Sequence, residues 1–207
     1  MKITPEELAD NGYVLIDNLE HKELIPFVRT YLKKRTPILL LYTFCNAVII
    51  GIIIYWFWKN YGTDSFNLDN ALTHFSYGIV LAFGLIPIHE YIHVLAYKSQ
   101  GAKNTSYDAN LKKFYFMAIA DKFVANKKEL RIAALAPFIV ITTILIILSF
   151  FTSQLWTFTV FGVLLTHTAF SSGDFGILSY FDFHKEKDIV TYDDKENSIS
   201  YFYGKKK

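Results

Sequence analysis

His89, Glu90, Tyr91, Ile92 and His93 form an H-E-x-x-H pattern, and each residue type in it has a chemical use. At about 100° per residue, histidines four positions apart stand only about 40° from each other on a helix, so both imidazoles reach one ion. Glu90 falls about 100° from His89, close enough to address a water on that ion without displacing it. Zinc lowers the pKa of such a water towards neutrality, and the glutamate accepts its proton as the water attacks a carbonyl. From the His and Glu frequencies of this chain, the pattern arises by chance in roughly one such sequence in 150. The setting narrows the reading. All three ionisable groups fall in one otherwise apolar segment, where each is costly unless it serves a function. The competing reading of the same residues is a proton relay or a hydrogen-bonded helix contact.

A tetrahedral zinc that keeps one position for water needs a third protein ligand. Asp174 and His167 lie together in a later apolar segment, at a spacing that puts them on one helical face. With both segments read as straight helices running inward, His89 and His93 lie about 21 and 27 Å from the outer end of theirs. His167 and Asp174 lie about 18 and 28 Å from the outer end of theirs. Asp174 therefore comes level with His93, and His167 slightly above His89. Asp174 is the expected ligand, and His167 is expected to stand beside the ligands or to donate to the transition state. His167 as the third ligand, or as a plain interhelical hydrogen bond, stays open.

The elements that must hold these groups are apolar blocks. The 207 residues are 52% hydrophobic, yet the mean hydropathy is only +0.24, so polar connections separate very apolar runs. Four runs are long and apolar enough to cross a bilayer, which takes roughly 20 residues for a helix: Thr36 to Trp58, Phe75 to Tyr97, Ile132 to Gln154, and Leu155 to about Phe181. Thr36 and Pro37 suit a helix start, and Tyr55, Trp56 and Trp58 an interfacial belt. The expected fold is an all-α membrane protein, a bundle of about four transmembrane helices with small cytosolic β-hairpin elements. Lys and Arg number six, one, eight, zero and six along the successive connections, which puts both termini in the cytoplasm. The domain reading is a cytosolic N-terminal arm over 1–35, a transmembrane domain over 36–181 with a cytosolic loop at 98–131, and a cytosolic hairpin and tail over 182–207.

Within the polar parts, Thr4, Pro5 and Glu7 read as a capping box whose helix Gly12 closes. Leu24 to Tyr31 reads as a helix, lying on the membrane or packed in the cytosol. Phe114 to Ile119 reads as a strand, either one to which an extended substrate adds or one of a packed hairpin. Asp188 to Tyr192 and Ser198 to Tyr203 read as a hairpin, followed by a solvated tail at Lys205 to Lys207. His21, His74 and His184 read as surface residues. Pro87, two residues before His89, reads as a kink that admits water or as an ordinary transmembrane proline. The net charge of +2 says nothing about partners, and no basic stripe points to nucleic acid, so no nucleic-acid partner is expected. The single cysteine, Cys45, excludes an intramolecular disulfide. The first apolar run begins too late for an ordinary secretory signal.

These features resemble membrane-embedded zincins of the site-2 protease type, and more closely a family of small multi-pass membrane proteins classed as "putative zincin peptidases". The resemblance spans roughly Phe75 to Tyr180 and rests on His89 to His93, on Ala136-Pro137-Phe138, and on Ser171-Ser172-Gly173-Asp174. In the site-2 type the aspartate is usually followed by glycine, whereas here Gly173 precedes Asp174. The resemblance implies a membrane-embedded zinc-dependent endopeptidase that cuts a peptide or membrane-protein substrate at or near the cytoplasmic face. It implies Zn2+ held by His89, His93 and Asp174, with Glu90 activating the zinc-bound water. The other readings are a non-haem iron oxygenase, which needs more histidines than the membrane half supplies, and a zinc- or proton-handling protein or degenerate peptidase scaffold without enzymatic activity.

Overall fold

The computed structural model describes residues 3–63, 66–110, 112 and 115–206. Its helices are α1 (Leu24–Tyr31), α2 (Pro37–Asn60), α3 (Leu68–Phe83), α4 (Ile86–Ser99), α5 (Lys127–Ser149), α6 (Gln154–Phe170) and α7 (Ser172–Phe183). Its strands are β1 (Val14–Glu20), β2 (Thr105–Asn110), β3 (Tyr115–Ala120), β4 (Ala125–Asn126), β5 (Lys187–Asp194) and β6 (Ile199–Lys206). The expected all-α bundle of four spans is not what forms. Helix makes up 61% and strand 20%, in two antiparallel sheets. One sheet has the order β1-β6-β5-β4 and the other pairs β2 with β3.

Among the described residues, only α2 and α5 are single helices long and apolar enough to cross a membrane. The other two expected spans are broken. The second segment splits at Gly84–Leu85 into α3 and α4, bent by 46°, either one broken span or a re-entrant loop. The fourth splits at Ser171 into α6 and α7. At 1.5 Å per residue, pieces of 16, 14, 17 and 12 residues reach only about 18–26 Å, short of the roughly 30 Å of a hydrocarbon core. Pro87 sits in the first turn of α4, where its missing N–H removes no helical bond. The break therefore precedes it.

The chain forms two compact units. One is built from the chain up to Leu39, Glu90–Ala136 and Gly173 onward. Here the N-terminal capping box forms, with the Thr4 N–H donating to Glu7 Oε2 at 2.9 Å, and Gly12 turns the chain at φ +77°. β1 was not expected, and it pairs antiparallel with β6. β6 runs on to Lys206 where a solvated tail was expected, and Lys205 Nζ donates to the Asn11 carbonyl at 2.9 Å. α1 lies on this sheet by its aromatic face: Phe27 stacks on Phe202 at 5.8 Å and touches Tyr180 at 5.4 Å. The start of α2 is tied to α7. Thr36 Oγ1 and Ser179 Oγ share a hydrogen bond at 2.8 Å, and the Ile38 N–H donates to Asp182 Oδ2 at 3.2 Å. Lys127 Nζ and Arg131 meet the other oxygen of Asp182 at 2.8 and 3.4 Å. Phe114, the first residue of the strand expected at 114–119, lies outside the described residues, as do Lys2, Lys113 and Lys207.

The second unit comprises Leu40–His89 and Pro137–Ser172. Its closest helix crossing is α3 on α6, where two glycines let the backbones meet. A Cβ on Gly78 would stand 2.1 Å from the Thr159 carbonyl oxygen, and one on Gly162 would stand 2.3 Å from that of Phe75. Phe66, Ala71, Phe158 and Phe161 form the core beside this crossing, with Trp56 and Phe57 of α2 packed on it. His74, expected at the surface, is half-buried and meets Thr159 Oγ1 at 3.0 Å.

Candidate metal centre

α4 carries His89, Glu90 and His93 on consecutive turns, and all three are buried, at 7%, 8% and 7% exposure. One ligand atom from each lies within 4.8 Å of the others, the single such group among the described residues. Buried ionisable groups at this density are costly unless each meets an opposite charge or a hydrogen-bond partner. The partners come from the backbone and from α7.

His93 is held at both ring nitrogens. Nδ1 lies 2.9 Å from the Ala133 carbonyl of α5. A carbonyl only accepts, so Nδ1 carries the proton. Nε2 lies 3.1 Å from Asp174 Oδ1. In the neutral ring, Nε2 is a lone pair facing a carboxylate oxygen, and two acceptors at that distance require a cation between them. Either a proton or a metal ion serves. Two ligands of one tetrahedral zinc, each roughly 2.0–2.2 Å from it, lie about 3.3 Å apart, so the spacing fits shared coordination. An imidazole whose far nitrogen donates to a backbone carbonyl is also the usual form of a zinc-bound histidine. The donor set of two imidazole nitrogens and a carboxylate oxygen suits zinc, and the residues present fit the ion.

Glu90 is fixed differently. Its Oε2 accepts the Ala118 N–H of β3 at 2.7 Å. In an antiparallel pair, alternate residues turn their N–H away from the partner strand, and Ala118 turns its own towards α4. The expectation that this strand pairs with an extended substrate therefore meets an edge amide already committed to Glu90.

His167 of α6 is 1% exposed, and its ring stands edge-on to that of His89, with centroids 5.4 Å apart. The Ser171 N–H and Oγ donate to the His167 carbonyl at 3.1 and 3.2 Å, where α6 ends. The structure thus brings Asp174 to His93 and His167 to His89. Residue-type reasoning missed Ala118 and Ala133, because both act through the backbone and no side-chain signal marks them. It also read His21 as a surface residue, whereas His21 is 1% exposed. Its Nδ1 meets Asp108 Oδ2 at 2.7 Å, and its Nε2 meets Ser200 Oγ at 3.4 Å. Ser200 Oγ in turn donates to Asp193 Oδ1 at 2.6 Å.

Neither curated proteins nor solved structures give a match to this chain. A family model described as "putative zincin peptidase" matches residues 82–188. That stretch begins just before α4 and runs into β5, so it contains the histidine–glutamate cluster, the hairpin that holds Glu90, and Asp174. It covers half of the chain, and the chain belongs to the zincin-like family so described.

Proposed function

We propose that this protein is a membrane-bound zinc-dependent endopeptidase that cleaves a peptide or membrane-protein chain at or near the cytoplasmic membrane face. The observation that carries the reading is the contact of His93 Nε2 with Asp174 Oδ1 at 3.1 Å, with Nδ1 already donating to Ala133. His89, His93 and Asp174 would hold the ion. When bound, zinc supplies Lewis-acid polarisation and a water acidic enough to lose its proton near neutral pH.

Glu90 is the general base. Its Oε2 is anchored by the Ala118 amide, and the carboxylate would take a proton from the attacking water and pass it to the leaving amine. The anchor fixes the carboxylate plane, so no rotamer search precedes the transfer. His167, edge-on to His89, orients that ligand. The burial of His89, Glu90, His93 and His167 keeps bulk water from competing for these bonds. α2 and α5 are the elements that support membrane attachment.

The test compares membrane proteomes of cells expressing the wild-type chain and Glu90→Gln. Substrates accumulate uncut with the variant, and purified Glu90→Gln protein keeps about one zinc per chain. Identical proteomes, or purified wild-type protein without zinc, would overturn the reading.

A further inference from the structure

β1 ends the larger sheet, so among the described residues one of its edges has no strand neighbour. A groove runs between that strand and α1, lined by Asp17, Asn18, Glu20, Glu23, Phe27 and Tyr31 among others, with a volume of about 440 Å³. Three of its lining residues are carboxylates; Glu20 pairs with Lys22, and Asp17 and Glu23 face the groove without a lining cation. Tyr31 registers the field: burial and then the Asp17 carboxylate push its phenol above the ordinary value. Aromatic rings beneath carboxylates suit the alkyl stems and cationic heads of Lys and Arg. At the other end of the strand, Val14 and Leu15 are exposed, at 67% and 44%. The strand therefore offers an apolar start and an acidic finish along one open edge.

We propose that the edge of β1 binds an extended segment of the substrate, apolar over Val14 and Leu15 and rich in Lys or Arg over Asp17 and Glu23. Such a segment adds as a further strand, main chain to main chain, with its basic side chains in the groove. The end of a transmembrane segment followed by its cytoplasmic flank has this composition, because such flanks are enriched in Lys and Arg. The proposal rests on the endopeptidase reading for the identity of the partner, but not for the binding itself. The groove is also joined to the site. His21, immediately after β1, pairs with Asp108 of β2 at 2.7 Å, and β3, the partner of β2, holds Glu90 through Ala118.

The test uses full-length Glu90→Gln protein in nanodiscs and a fluorescent twelve-residue peptide, half Leu and Val, half Lys and Arg, read by anisotropy. Three comparisons separate the elements of the proposal. An acidic peptide of the same apolar half is expected to bind at least tenfold more weakly. N-methylation of alternate amides, which leaves charge intact but blocks strand pairing, is expected to weaken binding by a similar factor. The Asp17→Asn/Glu23→Gln double variant is expected to lose most of the affinity and its salt dependence while its melting temperature stays unchanged. Equal binding of the methylated peptide would overturn strand addition, and equal binding to the double variant would overturn the acidic groove. Concentration-dependent dimerisation competed by the peptide would assign the edge to a second copy of this chain and overturn the proposal. Because cleavage is not measured, a peptide that binds a zinc-free or inactive protein still supports the surface, and the endopeptidase reading fails separately.

Discussion

His93 Nε2 faces Asp174 Oδ1 at 3.1 Å while its Nδ1 donates to the Ala133 carbonyl. This arrangement leaves the ring one way to be neutral, with a lone pair aimed at an anion. A cation must stand between them, and zinc and a proton predict different chemistry. With zinc, His93→Ala and Asp174→Ala each lower the metal content from about one ion per chain to well below it, because a three-ligand site does not survive with two. Plasma mass spectrometry of protein purified without added metal measures this. A proton in the same place leaves both variants and the wild type equally free of zinc.

The Ala118 amide that holds Glu90 is removable by a change that touches no site side chain. Ala118→Pro deletes the N–H donated to Oε2 at 2.7 Å. Proline is tolerated at a strand position whose N–H faces away from the partner strand. Zinc content is expected to stay at the wild-type level while kcat falls roughly tenfold or more, since the base must now find its geometry. A variant with unchanged kcat would show that the anchor is incidental to proton transfer.

The glycine crossing of α3 and α6 predicts a stability effect with its own control. A methyl on Gly78 would meet the Thr159 carbonyl at 2.1 Å, and backbone cannot yield as a flexible side chain does. Gly78→Ala is expected to cost about 1–3 kcal/mol, the range for overpacking a filled interior. Nothing lies within 4 Å of a Cβ on Gly51, so Gly51→Ala, in α2, is expected to be neutral or slightly stabilising. Thermal unfolding in one detergent compares the two.

The contrast between these glycines marks what the sequence carries and what it hides. α1 and α2 were legible because Leu24 to Tyr31 has helical periodicity and Thr36-Pro37 a start signal, and the observed helices span Leu24–Tyr31 and Pro37–Asn60. The β5–β6 hairpin was legible from its polar turn at Asp193 to Asn197. The breaks at Gly84–Leu85 and Ser171 were not, because hydropathy sums composition and cannot see where a backbone turns. β1 was missed for another reason. Its partner β6 lies at the far end of the chain, and no local signal in Val14 to Glu20 reports so distant a neighbour. Rise-per-residue arithmetic treated both site-bearing segments as straight rods, and neither is one. Asp174 still stands beside His93, at 3.1 Å.

Asp194 gives a pH dependence outside the membrane elements. Lys122 Nζ at 2.5 Å, and then the Asn197 backbone and side-chain amides at 3.1 Å each, hold its carboxyl down at about 2. A folded-state pKa below the unfolded one stabilises the fold above the unfolded value, and that stability is lost as pH falls from about 4 towards 2. Its neighbour Asp193 runs the other way: burial raises its pKa, so ionising it costs stability as pH rises. Asp194→Asn is expected to flatten the acid limb of the unfolding curve between pH 4 and 2, and Asp193→Asn to leave that limb in place. An acid limb as steep in Asp194→Asn as in wild type would assign it to other carboxylates.

The ring of His167 against that of His89 separates two roles for a histidine close to a metal site. As an orienting neighbour, His167 contributes to zinc affinity without supplying a bond, and replacing such a group typically costs 10–100-fold in affinity. His167→Ala is then expected to bind one zinc at saturation with a dissociation constant raised by about that factor, while His167→Phe, which keeps an edge-on ring, recovers part of the loss. As the third ligand, His167 would instead be indispensable: His167→Ala would fail to load at any practical zinc concentration, and Asp174→Ala would load normally. Competition with a chromogenic chelator on the two alanine variants side by side distinguishes these patterns, because the wild type fixes the stoichiometry against which both are read. The contact of Asp174 with His93 favours the first pattern, since an ion held by that pair would already have its carboxylate.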